Sequence, residues 1–322
     1  IGAGTGTVLA LFIFLPNGDK GVFPLLSILV LIAAWLFSPQ KSLGFKAIIF
    51  VSLAAMIGLT IVAPSWLSFK ISDFKALPVS LRYPGAKHLF TKWNAISRVD
   101  IIDSPAVRYA PGLSLLHDRA LPPQLGLLID GGELSAITQM EDPDDPSLDF
   151  LSDLPSSLPY YFLDRPRVLV LEPKGGMDVL AALHYRASSI KVIEDNPLIK
   201  SLLNRDLADF SGRIYQQENT RSSSSTSRSS LMKETENFEL IVFSLSDVFG
   251  SAGTGQMGIG ENYLYTEESF RDTLKRLSEN GIASMTMYLL PPPRQEVRLL
   301  ATWIEALRKT TADPDQHLIV LR

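Results

Sequence analysis

Apolar positions in this chain follow two different patterns. Near the start they run continuously. Gly21–Ser38 reads GVFPLLSILVLIAAWLFS without a charge, and Gly44–Ala63 reads GFKAIIFVSLAAMIGLTIVA with Lys46 as its one charge. Each run matches the roughly 20 residues that cross a bilayer as a helix. Ile1–Pro16 is a third, slightly short apolar run. It has no initiator Met and no basic n-region, so it is expected to be the tail of a membrane helix rather than a signal peptide, with the chain starting upstream. The opening Gly2-Ala-Gly-Thr-Gly6 follows no strand. It is read as small residues that let membrane helices pack closely.

Past Ala63 the pattern breaks into short pieces. Residues 64–76 read as a connector. Leu77 to Thr138 holds short strand-like runs separated by Gly and Pro, including Ile96–Ile102 and Leu125–Ile129, the latter closed by the turn Asp130-Gly-Gly132. A small antiparallel region is expected there. Glu141–Pro159 is acidic and rich in Pro and Ser, which predicts a loop or linker. From Arg167 strands and helices alternate. Strands are expected at 168–172, 190–194, 213–217, 239–244, 281–287 and 317–321, and helices at 176–186, 197–209, 266–278 and 294–310. Such alternation predicts a parallel sheet covered by helices. Arg221–Ser230, RSSSSTSRSS, reads as a solvated insertion. The domain expectation is membrane helices over 1–66, a β-rich region and linker over 67–160, and an α/β domain over 161–322, with a C-terminus that stops short of a final hairpin.

Composition narrows the chemistry. The formal net charge is −4, which gives no broad nucleic-acid footprint. There are no cysteines, so disulfides, thiolate metal sites and a Cys nucleophile are excluded. His88, His117, His184 and His317 are scattered without metal-ligand spacing, and no metal is expected. Lys70, Lys75, Arg82, Lys87, Lys92 and Arg98 follow the last apolar run. That cluster favours a cytoplasmic exit from the membrane.

One segment carries most of the functional signal. The apolar run Val168–Leu171 leads into Glu172-Pro-Lys-Gly-Gly-Met-Asp178, then a helical stretch, then Ile190-Lys-Val-Ile-Glu194. Glycines at 175 and 176 let backbone approach a ligand, and a carboxylate at the tip of the next strand suits ribose hydroxyls. The 18 positions from Gly176 to Glu194 lie close to the roughly 20 of a nucleoside-binding unit. The pattern is not G-x-G-x-x-G, so an adenosyl ligand such as S-adenosylmethionine fits better than a dinucleotide. An ordinary βαβ unit without a ligand is the competing reading.

Together with Phe238–Asp247, FELIVFSLSD, and Glu261–Thr266, ENYLYT, this segment resembles the spermidine synthase family, and more closely its bacterial membrane-anchored spermidine-synthase-like members. The resemblance covers about residues 77–322. It implies an adenosylmethionine-methyltransferase-like (Rossmann-like) α/β fold with a small N-terminal β region, preceded by transmembrane helices. The substrate implied is decarboxylated S-adenosylmethionine or S-adenosylmethionine itself, with a small-molecule amine as acceptor. The bilayer is a further partner, in the bacterial inner membrane with the soluble domain on the cytoplasmic side, and a homodimer is allowed. It places Gly175, Gly176, Glu194, Asn219 and Asp130 around the cofactor. Ser244 and Asp247 fall in the catalytic strand, and Asp247, Glu261, Tyr263 and Tyr265 line the amine pocket. Phe249–Gly260 reads as a gate or as a plain loop.

The departures are specific. Ser244 stands where the family has its general-base aspartate, and a hydroxyl cannot replace a carboxylate as proton acceptor near neutral pH. Glu172, Pro173 and Lys174 occupy positions where glycines are expected, and Lys174 beside a cofactor carboxylate would favour full adenosylmethionine. Asp130-Gly-Gly-Glu-Leu134 lacks the family's glutamine. Asp178 is read equally as a helix-start residue and as a site residue. Three functions compete: an aminopropyltransferase, an adenosylmethionine-dependent methyltransferase, and a non-catalytic membrane protein that keeps the fold.

Overall fold

The computed structural model describes residues 18–37, 42–245, 263–289, 292–293 and 295–321. The apolar run Ile1–Pro16, the carboxylates Asp247 and Glu261, the stretch 249–260 and Arg322 lie outside them.

Helices α1 (Asp19–Phe37) and α2 (Leu43–Val62) form where the unbroken apolar runs predicted them. Only Asp19, Gly21, Val22 and Pro24 of α1 and Ile49 of α2 are buried. They are therefore not core helices of a globular domain, and both are long and apolar enough to cross a membrane. The start of α1 is tied to the chain leaving α2. The Phe69 amide donates to the Asp19 carboxylate at 2.7 Å, and the Phe23 and Phe69 rings meet edge to face. Gly18, at φ +55°, lies against Trp93, where a Cβ would come within 2.4 Å of the indole. The start of α1 and the exit of α2 thus share the side on which the rest of the chain folds.

After a short helix α3 (Ala76–Ser80), strands β1 (Lys87–Trp93), β2 (Arg98–Asp103), β3 (Gln124–Ile129) and β4 (Glu133–Thr138) form an antiparallel meander in sequential order. Residues 141–159 do not form a linker. Pro146 and Pro155 open two 3₁₀ turns, Pro146–Asp153 and Pro155–Tyr161, a position where proline loses no hydrogen bond. Leu148, Phe150, Leu151, Leu154 and Tyr160 are buried there. The polar composition of the segment hid these apolar anchors.

The second sheet contains β5 (Arg167–Leu171), β6 (Ser189–Ile193), β7 (Thr220–Ser223), β8 (Phe238–Phe243) and β9 (Leu277–Met285), all parallel, in the order β7-β6-β5-β8-β9. In chain order this is third-second-first-fourth-fifth, the doubly wound Rossmann arrangement. Helices α4 (Met177–His184), α5 (Pro197–Ser201, continued by a π turn Leu202–Asp206), α6 (Ser227–Lys233), α7 (Glu267–Arg276) and α8 (Gln295–Arg308) supply the helical layers. The fold is α/β, with a doubly wound, Rossmann-like parallel sheet. Val168 to Leu171 are all fully buried, as a strand covered on both faces requires. Val168 and Val170 join one core with Val179, Leu183 and Val242, while Leu169 and Leu171 join another with Phe243 and Phe270. The first core also takes in Ile101, Leu127 and Ile137 of the meander. One apolar mass therefore fixes the meander against the parallel sheet.

Three expectations are corrected. The third parallel strand is β7 at Thr220–Ser223, not 213–217; Ile214 and Tyr215 are buried in an irregular stretch. An edge strand needs only one neighbour, and β7 pairs with β6 alone, so a serine-rich run serves. Consequently Arg221–Ser230 is not an insertion but the end of β7, a turn and the start of α6. Finally, 318–321 forms no strand; a 3₁₀ turn, Pro314–His317, precedes it.

Candidate functional site

The carboxyl ends of β5 and β8 meet where the strand order reverses, since chain crossovers leave β5 for β6 on one side and reach β8 on the other. Ligand crevices of open α/β sheets form at this point. Here Glu172 follows β5 in the left-handed region at φ +53°, Lys174 repeats this at φ +51°, and Gly176 opens α4 at φ +90°. Glycine would be the ordinary occupant of the first two positions.

Glu194 directly follows β6 and is 2% exposed. Its carboxylate accepts the Lys174 amide at 3.0 Å and the Asn196 amide at 3.0 Å. The acidic tip and the glycine turn are thus joined by a hydrogen bond. Burial raises the Glu194 carboxyl to about 7 against these two amides, which oppose the shift. Glu172 is also raised to about 7, by burial first and then by the charges of Asp195 and Glu194. Asp195 is raised by burial, opposed by the Ser227 hydroxyl and by the Ser227 amide at 2.6 Å. Three carboxyls therefore crowd one edge of the sheet. The Tyr215 hydroxyl lies near them, buried and without a hydrogen-bond partner; burial and then Glu194 push its pKa well up.

The two glycines have a structural cause as well as any ligand role. A Cβ on Gly175 would fall 2.1 Å from the Ala136 carbonyl oxygen, and one on Gly176 would fall 2.3 Å from Ile214 Cδ1. The Gly175 amide donates to Ser135 Oγ at 3.3 Å. Their missing side chains make room for the meander and for Ile214, so close packing alone accounts for both glycines.

An opening lies on the other side of the turn. It is lined by Pro173, Lys174, Asp178, Ser135, Ser244 and Thr286, among others, opens to the surface, and has a volume of about 30 Å³. That is room for a water or two. Ser244 follows β8, its amide bonded to Leu171 O at 3.2 Å, and its hydroxyl is buried. Asp178 sits in the first turn of α4, where the helix dipole favours a negative charge. Burial raises its carboxyl, and the nearby Ser244 hydroxyl opposes that shift.

Of the residues singled out from the sequence, Glu194, Gly175 and Gly176 come together at the β5–β6 edge, and Ser244 comes to the opening beside them. Asn219 does not. It precedes β7, at the opposite end of the strands from Glu194; its side-chain amide donates to Ala187 O at 2.8 Å, and its own carbonyl accepts from Ile190. Misplacing the third strand caused that error, because the residue after the true strand is Ser224. Asp130 does not reach the site either. It holds the β3–β4 turn at φ +52°, its carboxylate accepting the Arg98 amide at 2.8 Å. Ser135, not Asp130, is the meander residue that meets the glycine turn. Tyr265 packs against Phe243 with ring centres 6.4 Å apart, on the core opposite α4, and Tyr263 is 60% exposed. Neither lines the opening. Asp247 and Glu261 lie outside the described residues. Glu172 and Asp195 were not singled out as ligand-side carboxyls, although each follows or nearly follows a strand end. Among the described residues no cluster of metal-ligating side chains is found.

No protein-family model matches the chain, and no curated protein matches it. Among solved structures it is similar to a spermidine synthase in complex with the transition-state analogue AdoDATO, at 14% identity and a TM-score of 0.43, covering 69% of this chain and 63% of that one. It is likewise similar to the spermidine synthase from Thermotoga maritima, at 14% identity and a TM-score of 0.43, covering 69% and 64%. A putative SAM-dependent methyltransferase from Streptococcus mutans follows at 14% identity and a TM-score of 0.37, covering 61% and 49%. The chain thus spans under two thirds of the length of each of these proteins. Similarities this distant add nothing to what the strand order already says of the fold.

Proposed function

We propose that this chain is a membrane-anchored transferase acting on an adenosyl sulfonium, with aminopropyl transfer to an amine as its reaction. The observation that carries the reading is Glu194: a buried acid, linked through one amide to the glycine turn, at the end of the strand beside the switch point of a doubly wound sheet. Its two oxygens each take one backbone N–H, which leaves lone pairs free for ribose hydroxyls. In the reaction the amine nitrogen attacks the carbon next to the sulfonium, that C–S bond breaks, methylthioadenosine leaves, and the amine gives up one proton. Holding the two reactants in line supplies much of the acceleration. Helices α1 and α2 anchor the domain. The start of α1 and the exit of α2 lie on the domain's side, with Lys20 and the basic residues after α2, which supports a cytoplasmic placement.

A second reading is methyl transfer from adenosylmethionine on the same sheet. Ser244 favours it, because an aminopropyltransferase needs a proton acceptor at the amine and this position supplies only a hydroxyl.

Calorimetry on the detergent-solubilised chain tests the reading, with adenosylmethionine, its decarboxylated form and methylthioadenosine as ligands, and with Glu194→Ala as the variant. All adenosyl ligands that bind are expected to weaken at least tenfold in the variant. Incubation with putrescine or with a methyl acceptor then separates the two reactions by product. Failure of every adenosyl ligand to bind would leave only the fold.

A further inference from the structure

We infer that the connector after α2 and the adjoining edge of the antiparallel meander form a seat on the bilayer. Trp66, Phe69, Phe74 and Ile96 enter the headgroup layer of the leaflet where α1 begins and α2 ends. The inference rests on the membrane-anchored reading above and adds the surface through which the domain meets lipid.

Local sequence stops α2 and lays the chain along the meander. Ala63 takes φ +44° and Pro64 follows, so the helix ends there. The chain turns through Ser65–Leu67. Ile71 then packs against Gly131 of the β3–β4 turn, whose carbonyl accepts the Leu77 amide at 2.9 Å. Lys75 Nζ donates to Asp130 O at 2.9 Å. Trp93, at the end of β1, lies against Gly18 just before α1. One edge of the meander, with the turns at 94–97 and 130–132, therefore sits at the level where both helices meet the domain. Asn94 closes the first of these turns, its side-chain oxygen accepting the Ile96 and Ser97 amides. On this edge and its connector Trp66 is 71%, Phe74 86% and Ile96 66% exposed, and Phe69 is half-exposed. Single exposed apolar residues are ordinary. These, however, continue the uncovered apolar surface of α1 and α2, so a layer that covers the helices reaches them too. Non-helical backbone does not lie against hydrocarbon. The connector therefore belongs to the headgroup layer, where aromatic rings concentrate. Lys20 and Lys70 each stand next in sequence to the Asp19–Phe69 contact, and such stems lie along apolar surface with the ammonium toward phosphate. The same edge holds the ligand-side acid. Asn94 Nδ2 donates to Asn196 Oδ1 and Asn196 Nδ2 to Ser97 Oγ, both at 2.7 Å, and the Asn196 amide bonds Glu194. The seat thus keeps Glu194 on the membrane side of the domain.

The chain has no cysteine, so a single introduced Cys carries one nitroxide label without interference. Phe74→Cys and Ile96→Cys report on the seat. Val51→Cys, exposed in the middle of α2, reports on the membrane span. Leu115→Cys is the aqueous reference: it is fully exposed on the β2–β3 loop, at the opposite end of the meander from Trp93. Each labelled full chain is placed in nanodiscs of phosphatidylcholine and phosphatidylglycerol. Electron paramagnetic resonance power saturation then measures collision with oxygen, which concentrates in lipid, and with a water-soluble nickel chelate. Val51→Cys is expected to meet oxygen and not nickel, and Leu115→Cys the reverse. Labels at 74 and 96 are expected to lose nickel collisions by about threefold or more against Leu115→Cys while keeping oxygen collisions, as side chains in the headgroup layer do. If Phe74→Cys does not fold, Ile96→Cys decides. Either label as open to nickel as Leu115→Cys overturns the seat, and with Val51→Cys still in lipid it leaves the anchoring intact. Labels at 74 and 96 shielded from both probes also overturn it, because protein rather than lipid then covers the edge. Nickel access at Val51→Cys overturns the anchoring and the seat together.

Discussion

Asp100 in the antiparallel meander and Glu194 at the edge of the parallel sheet are equally hidden, at 0% and 2% exposure, and oppositely held. Asp100 takes Arg98 on both oxygens at 2.7 and 2.8 Å, Thr91 Oγ1 at 2.5 Å and His88 Nε2 at 2.9 Å. Burial pushes its carboxyl up, but Arg98, Thr91 and His88 outweigh burial and the net shift is downward. Glu194 has two backbone amides and no side-chain donor among the described residues, and its carboxyl stays near 7. Full pairing makes an anion a structural part. Partial pairing beside a switch point leaves an anion whose remaining lone pairs a ligand can satisfy.

The sharpest break between the two is mutational. Asp100→Asn leaves the half-buried Arg98 without its charge partner, and a loss of about 3 kcal/mol is expected. Glu194→Gln is not expected to destabilise at pH 8, because it removes a charge that burial already penalises. Chemical denaturation of the solubilised chain measures both. A larger loss at Glu194 would reverse the comparison.

Next in size is the pH response. Glu194 holds its proton to about pH 7 when folded and to about 4.5 when unfolded. Between these values the native state binds more protons, so stability falls as pH rises from 4.5 and levels off above about 7, by on the order of 3 kcal/mol. Glu172 acts in the same direction. Asp100 acts oppositely: its contribution is present above 3.8 and lost as pH falls through its lowered folded value. The thermal midpoint, followed from pH 5 to 8, should fall less in Glu194→Gln than in wild type. Parallel curves would remove Glu194 from the account.

The smallest effect concerns the turn that holds Glu194. Lys174 sits at φ +51°, which costs a side chain about 1 kcal/mol. Lys174→Gly should raise the midpoint slightly while keeping the 174 amide on Glu194. A lower midpoint would mean that the lysine side chain contributes more than its backbone strain costs.

Much of this arrangement was legible in the residues. The unbroken apolar runs gave α1 and α2, and Val168–Leu171 announced a strand buried on both faces. The strand-turn-helix-strand pattern brought Glu194 to the glycine turn, where it accepts the Lys174 amide. What failed did so where packing, not pattern, decides. Ile214-Tyr215 looked like a strand because it is apolar, but it caps Gly176, while the serine-rich β7 carries the pairing; Asn219 was misplaced with it. Leu148, Phe150 and Leu151 were submerged in an acidic segment yet anchor the shared core. The neighbourhood of Asp178 and Ser244 joins residues 66 positions apart (244 minus 178), and only the parallel pairing of β5 with β8 creates it.

In the function proposed here, Glu194 is an incompletely satisfied acid whose free lone pairs accept ribose hydroxyls. Hydroxyl donors favour its charged form, so ligand binding near pH 7 must expel its proton. Calorimetric titration of methylthioadenosine in buffers of different ionisation enthalpy counts that proton. The account expects wild type to release about half a proton per complex at pH 7, and Glu194→Gln, if it binds at all, to release clearly less. Binding to wild type without proton release, or with the same release in the variant, would contradict it.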